Sequence, residues 1–103
     1  MQNVYTYIQR YTSVYIKHMR LIAKNKLKLL KLFYLHPEQE YYIQEIGRAL
    51  GNKPGVYQRA LNDLEKEGIL SSYYRANARF FKTNKNYPMY SELRSIVHKI
   101  KNI

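Results

Sequence analysis

The feature that most constrains this chain is the backbone punctuation between Tyr42 and Lys82, in YIQEIGRALGNKPGVYQRALNDLEKEGILSSYYRANARFFK. Ile43, Ile46, Gly47 and Leu50 recur at i, i+3, i+4 and i+7, which predicts a short amphipathic helix over Ile43–Leu50. Gly51-Asn52 tolerates left-handed backbone and ends that helix. Pro54 suits the first turn of a second helix, where its missing N–H is no loss. That helix runs to Glu67, buries Tyr57, Leu61 and Leu64 with Val56 and Ala60 beside them, and stops at Gly68. Ile69–Arg75 and Arg79–Thr83 then pair as a hairpin around a three-residue tip, Ala76-Asn77-Ala78. Gly47 on the inner face predicts a second helix packed close to the first.

The flanks extend this unit. Val4, Ile8, Tyr11, Tyr15, Met19 and Ile22 follow helical spacing with a heptad character, predicting an N-terminal helix. A helix over Ala23–Leu35 draws its core from Leu27, Leu30, Leu32, Phe33 and Leu35, with Lys24, Lys26, Lys28 and Lys31 in water. Pro37 ends it; Pro37–Glu40 is a loop, and Tyr41–Ile43 a short strand. A last helix over Pro88–Lys101 presents Met89, Leu93, Ile96, Val97 and Ile100, a stripe too apolar for an isolated monomer and therefore a dimer interface. The expected fold class is mainly α with a small β-hairpin. Residues 1–22 form an N-terminal helical extension, residues 23–86 the central domain and residues 87–103 a dimerisation helix.

Charge narrows the partner. The net charge of +11 is uneven: residues 1–37 carry seven Lys/Arg and no acid, residues 38–70 four basic and six acidic groups, and residues 71–103 seven basic groups against Glu92 alone. A polyanion suits such a surface. The absence of cysteine excludes disulfides, thiolate catalysis and Cys-based zinc sites. His18, His36 and His98 show no metal-ligand spacing, no Gly-rich phosphate loop or nucleophile motif is present, and neither a cofactor nor a catalytic residue is expected. Gln9, Arg10 and Lys17 interrupt the apolar residues near the N-terminus, and no long uncharged run occurs. A cytoplasmic protein that does not enter membranes is expected.

With Tyr57, Leu61 and Leu64 inward, the second helix turns Gly55, Gln58, Arg59 and Asn62 outward, and Lys53 stands at its start. Gln and Asn bond adenine bidentately, and Arg bonds guanine or phosphate. Around the hairpin tip, Arg75, Asn77 and Arg79, followed by Lys82 and Lys85, suit phosphate or minor-groove contact. Phe80 and Phe81 read as core on one side and partly exposed on the other. The twelve tyrosines mostly occupy helical core positions, which favours packing over base stacking.

Three stretches resemble a known family: EIGRALGNKPGVYQRALNDLEKEGIL, RANARFFKTN and NYPMYSELRSIVHKI. Together they look like the winged helix-turn-helix regulators of the ArsR-like superfamily. They are closest to the small members found alone or joined to minimal nucleotidyltransferase domains. Departures are the missing cysteines of the metal-sensing members, and Ala76 and Ala78 where glycine is usual in the wing. The resemblance covers Ala23 to Lys101 and excludes residues 1–22. It implies a homodimeric, sequence-specific double-stranded DNA-binding regulator of transcription, acting by repression. The alternative it leaves is an adaptor or antitoxin-like partner of a nucleotidyltransferase-type protein.

Overall fold

The computed structural model describes residues 24–100, so the expected N-terminal helix lies outside the described residues. Residues 24–35 are helical (α1). Then follow β1 (Glu40–Tyr42), α2 (Ile43–Leu50), a 3-10 turn (Pro54–Tyr57), α3 (Gln58–Lys66), β2 (Leu70–Arg75), β3 (Ala78–Thr83) and α4 (Tyr90–Lys99). The strands form one antiparallel sheet of order β1-β3-β2. The fold is mainly helical with a β-hairpin wing, a winged helix-turn-helix. Among the described residues no helix is long and apolar enough to cross a membrane.

The core gathers residues from every layer: Leu29, Leu30, Phe33 and Tyr34 of α1, Ile46 of α2, Tyr57, Ala60, Leu61 and Leu64 around α3, Leu70 and Phe81 of the sheet, and Val97 of α4. The inward stripe of α1 is therefore 29, 30, 33, 34. Leu35, expected inside, is exposed, while Leu32 is half-buried against the core. A run as leucine-rich as KLKLLKLFYL offers several overlapping stripes, and only the neighbours decide between them. Phe33 meets Tyr41 edge-on at 5.2 Å, and Tyr34 meets Tyr90 edge-on at 5.5 Å. These two contacts tie α1 to the sheet and to α4.

α2 matches its expected span. Its first turn is closed by Glu45, whose Oε1 accepts from the Tyr42 N–H at 3.1 Å. Gly51 ends it in left-handed backbone, φ 76°, where any other residue would be strained. Gly47 does permit a close approach, but by the turn backbone. A Cβ there would stand 2.8 Å from the Asn52 carbonyl oxygen and 3.1 Å from the Pro54 nitrogen. This contact sets how tightly the chain turns from α2 into α3.

Two expectations change in detail. The single helix over Pro54–Glu67 is a 3-10 turn followed by α3, with Tyr57 buried at the joint and Val56 exposed. The wing tip has two residues, Ala76 and Asn77, both in left-handed backbone at φ 50° and 65°. Arg75 and Ala78 pair across it. This is the turn whose twist matches that of the strands it joins, so the ladder gains one rung over a three-residue loop.

Candidate nucleic-acid interface

The turn between α2 and α3 fixes where the second helix begins. Asn52 N–H donates to the Gly47 carbonyl at 3.0 Å, its side-chain amide donates to the Tyr57 hydroxyl at 2.8 Å, and Val56 N–H donates to the Lys53 carbonyl at 3.1 Å. These bonds leave Lys53, Gly55 and Arg59 exposed at the start of the helix, with Gln58 half-exposed beside them. Among the described residues nothing lies within 4 Å of the position a Gly55 Cβ would take, which leaves the backbone there open to them. Gln58 Nε2 donates to Asn62 Oδ1 at 3.1 Å, one helical turn on.

The C-terminal half of α3 is engaged elsewhere. Lys26 of α1 reaches Glu67 at 2.9 Å and Asp63 at 3.9 Å. The acids at the end of α3 thus hold its far end to the scaffold, and among the described residues no carboxylate pairs with Lys53 or Arg59 at its near end.

Arg79 departs from the expected pattern. Expected among the groups facing DNA, its guanidinium turns instead to α3: Nη2 lies 2.7 Å from Glu65 Oε1, Nε donates to Ser72 Oγ at 3.0 Å, and Nη1 to Asn62 Oδ1 at 3.3 Å. Ser72 Oγ also donates to Glu65. The cause is strand alternation, which puts residues 79 and 81 on the face that packs against α3. Arg79 is a brace between wing and helix, and it passes through Asn62 to Gln58 on the exposed helix face.

Arg75 and Asn77 are exposed at the wing tip. Lys82 is not with them. It pairs with Ser71 and Glu40, four rungs below the tip, and its ammonium lies 5.5 Å from the Tyr73 ring centre on the outer sheet face. The structure therefore brings Lys53, Gly55, Gln58, Arg59 and Asn62 together, places Arg75 and Asn77 at a second point, turns Arg79 inward as a brace bonded to Asn62, and separates Lys82 from both.

Sequence reasoning passed over two residues of α2. Gln44 and Arg48 are exposed and, with Asn52 and Lys53, line a shallow concavity at the helix-turn-helix corner. They stand one turn apart on the face opposite Ile43, Ile46 and Leu50, a pattern visible in the helical wheel.

On α4 the apolar stripe divides. Met89 and Ile96 are 53% and 56% exposed, but Val97 is 1% exposed and belongs to its own chain's core, with Leu93 half-buried against it. Val97 is thereby removed from any interface. α4 is fastened back on α1: Lys31 Nζ donates to the Ile100 carbonyl at 2.9 Å, and His98 Nε2 lies 3.2 Å from the Tyr34 carbonyl. The Tyr34 ring is fully buried, and among the described residues its hydroxyl has no hydrogen-bond partner. Burial, then the neighbouring Tyr90 and Tyr87, push its pKa up to about 12. No group of three or more His or acidic residues able to hold a metal ion occurs among the described residues.

No protein-family model matches the chain, and no characterised protein matches it by sequence. Its fold, however, is similar to solved structures. ZitR of Lactococcus lactis superposes with a TM-score of 0.58 at 16% identity, over 96% of this chain and 76% of that one. The transcriptional regulator HlyU of Vibrio vulnificus gives 0.57 at 13% identity, over 90% of each chain. MepR, a transcription regulator of a Staphylococcus aureus multidrug efflux pump, gives 0.59 at 18%, over 94% and 78%. At these identities the likeness establishes the winged-helix fold.

Proposed function

We propose that the chain is a transcription regulator that binds double-stranded DNA sequence-specifically as a homodimer and represses by occupying an operator. The observation that carries this reading is the open N-terminal end of the second helix. There Lys53, Gly55, Gln58 and Arg59 converge with no acid paired to them among the described residues, beside a hairpin whose tip presents Arg75 and Asn77. A helix in that position enters the major groove, and the hairpin reaches the flanking backbone. Gln58 and Arg59 read base edges; Lys53, Arg48 and Arg75 take phosphates. Two such helices would lie about 34 Å apart on a pseudo-palindromic site.

The fold shared with regulators such as HlyU and MepR supports the class. The three stretches quoted above favour the ArsR-like superfamily within it. The dimer rests on Met89, just before α4, and Ile96 on it, large apolar side chains left in water. A cytoplasmic location follows from such a role.

The test is binding to a duplex from the chain's own upstream region against a scrambled duplex of equal length, at 150 mM salt. A preference of about a thousandfold is the expectation for a specific regulator. Equal affinity for the two duplexes would reduce the protein to a non-specific DNA binder.

A further inference from the structure

The outer face of the sheet carries an aromatic row that the duplex reading does not use. The register aligns Tyr42, Phe80 and Tyr73 in one row across all three strands. Tyr73 and Phe80 are stacked, with ring centres 5.8 Å apart and planes 19° from parallel. Tyr42 meets Phe80 edge-on at 5.6 Å. A cation stands at each ring: the Arg48 guanidinium at 5.9 Å from Tyr42, Arg75 at 4.3 Å from Phe80, and the Lys82 ammonium at 5.5 Å from Tyr73. All three cations are exposed and the three rings half-buried.

A cross-strand aromatic row stabilises a sheet by itself. What that role does not require is this distribution of charge. Elsewhere among the described residues, Lys26, Arg79 and Lys85 each meet a carboxylate. None of Arg48, Arg75 and Lys82 does. The single acid on this face, Glu40, accepts from the Tyr73 hydroxyl. The row is thus a set of ring faces and edges bordered by unpaired cations, a combination that complements a chain of bases joined by phosphates. Rings and guanidinium planes stack bases of any identity, while cations follow the backbone. The stacked pair spans about the rise of one or two unpaired nucleotides.

The geometry points to a second nucleic-acid site on this face, one that takes single-stranded DNA or RNA by stacking unpaired bases on Phe80, Tyr73 and the Arg75 plane, with Arg48 and Lys82 on the phosphates. It shares Arg48 and Arg75 with the duplex reading, but its stacking rings are not part of that reading and it uses neither Gln58 nor Arg59.

The test compares fluorescein-labelled dT12 with an abasic 12-mer carrying the same phosphates, by anisotropy at 100 mM salt, on the full chain. Stacking predicts that dT12 binds at least about tenfold more tightly than the abasic strand. It predicts that Phe80→Leu, which keeps an apolar side chain in the row, weakens dT12 binding between about fivefold and a hundredfold while duplex affinity is retained. Arg48→Gln, an exposed change with little risk to folding, should lower the salt slope of dT12 binding by about one. Arg59→Ala should leave dT12 binding as it was; it is the control that separates this site from the duplex-binding helix. Equal binding of the two strands, an unaffected Phe80→Leu protein of native melting temperature, or no binding of dT12 would each overturn the proposal and leave the row as a sheet-stabilising ladder.

Discussion

The brace between wing and helix makes the sharpest prediction, because two accounts of Arg79 disagree in sign. The perturbation is Glu65→Gln, nearly isosteric, together with Arg79→Gln and the double variant. In the structure the pair closes at 2.7 Å with side chains 27% and 33% exposed. An exposed ion pair contributes about 0.2–1 kcal/mol, and a hydrogen bond to a charged group about 1.5–3 kcal/mol. At this partial exposure we expect a coupling energy of about 1–1.5 kcal/mol from the double-mutant cycle. For a domain of this size that corresponds to a fall of about 5–10 °C in Tm for either single variant.

DNA binding then separates the accounts. Were Arg79 a phosphate contact held back by Glu65, Glu65→Gln would free it, remove a negative charge and tighten binding, with a steeper salt dependence. If Arg79 is a brace, the same change loosens the wing and the Gln58–Asn62 pair that Arg79 supports. Affinity for a preferred duplex should then fall about fivefold to tenfold even though net charge has become more favourable, while affinity for scrambled duplex is unchanged or higher. Isothermal titration at two salt concentrations reads both quantities. A coupling energy below about 0.5 kcal/mol, or tighter preferred-site binding in Glu65→Gln, refutes the reasoning.

Arg59→Ala should cost about 1–3 kcal/mol in preferred-site affinity with Tm nearly unchanged; unaltered affinity would take Arg59 out of the recognition role. Gly47→Ala drives a Cβ to 2.8 Å from the Asn52 carbonyl, and should destabilise by about 1–3 kcal/mol in urea denaturation; an unchanged midpoint would show that the turn can yield. Tyr34→Phe removes a buried hydroxyl that has no partner among the described residues, so stability near neutral pH should hold or rise by up to about 1 kcal/mol, and a clear loss would reveal a partner for that hydroxyl. The Tyr34 pKa, raised from 10.0 to about 12 in the folded chain, means the unfolded state loses its proton first. Stability from this group is complete below pH 10 and declines by up to about 2 kcal/mol as pH climbs to 12; melts at pH 9 to 11 should show this slope in the native chain and a shallower one in Tyr34→Phe.

The parts of the fold legible in the sequence are those fixed within a few residues of the chain. Gly51 and Pro54 set local backbone angles, so the bounds of α2 and the turn beyond it followed directly from their positions. The outward face of α3 followed from the spacing of Tyr57, Leu61 and Leu64. What did not follow depended on partners far away in sequence. Arg79 and Arg75 both flank the wing tip, and sequence gives no reason to separate them until the hairpin register pairs Arg75 of β2 with Ala78, on the face opposite Arg79, which turns toward Glu65. Lys82 is basic and near the tip in sequence, but the ladder carries it four rungs away. Val97 and Ile96 are adjacent and equally apolar; the position of α1 decides that one is core and the other surface. The wing tip misled for a local reason: a two-residue turn of this kind usually takes glycine, and Ala76 accepts the strain instead.

The seven acids explain how so basic a chain keeps its charge where a polyanion can use it. Glu38 meets Lys85, Glu40 the Tyr73 hydroxyl, Glu45 the Tyr42 N–H, Asp63 and Glu67 Lys26, and Glu65 Arg79. Glu92 sits in the first turn of α4, where the helix dipole favours it. Each carboxylate thus holds one element to another or closes a helix end. No carboxylate faces Lys53, Arg59 or Arg75 in an ion pair among the described residues. Adding an acid at an exposed position beside these cations, as in Val56→Glu, leaves every one of those structural bonds in place. Such a change should therefore weaken duplex binding with little effect on Tm. An equal acid placed at Leu35, far from the helix-turn-helix corner in sequence and likewise exposed, should weaken it much less. Comparable losses from the two sites would mean that affinity follows net charge rather than the face the acids leave open.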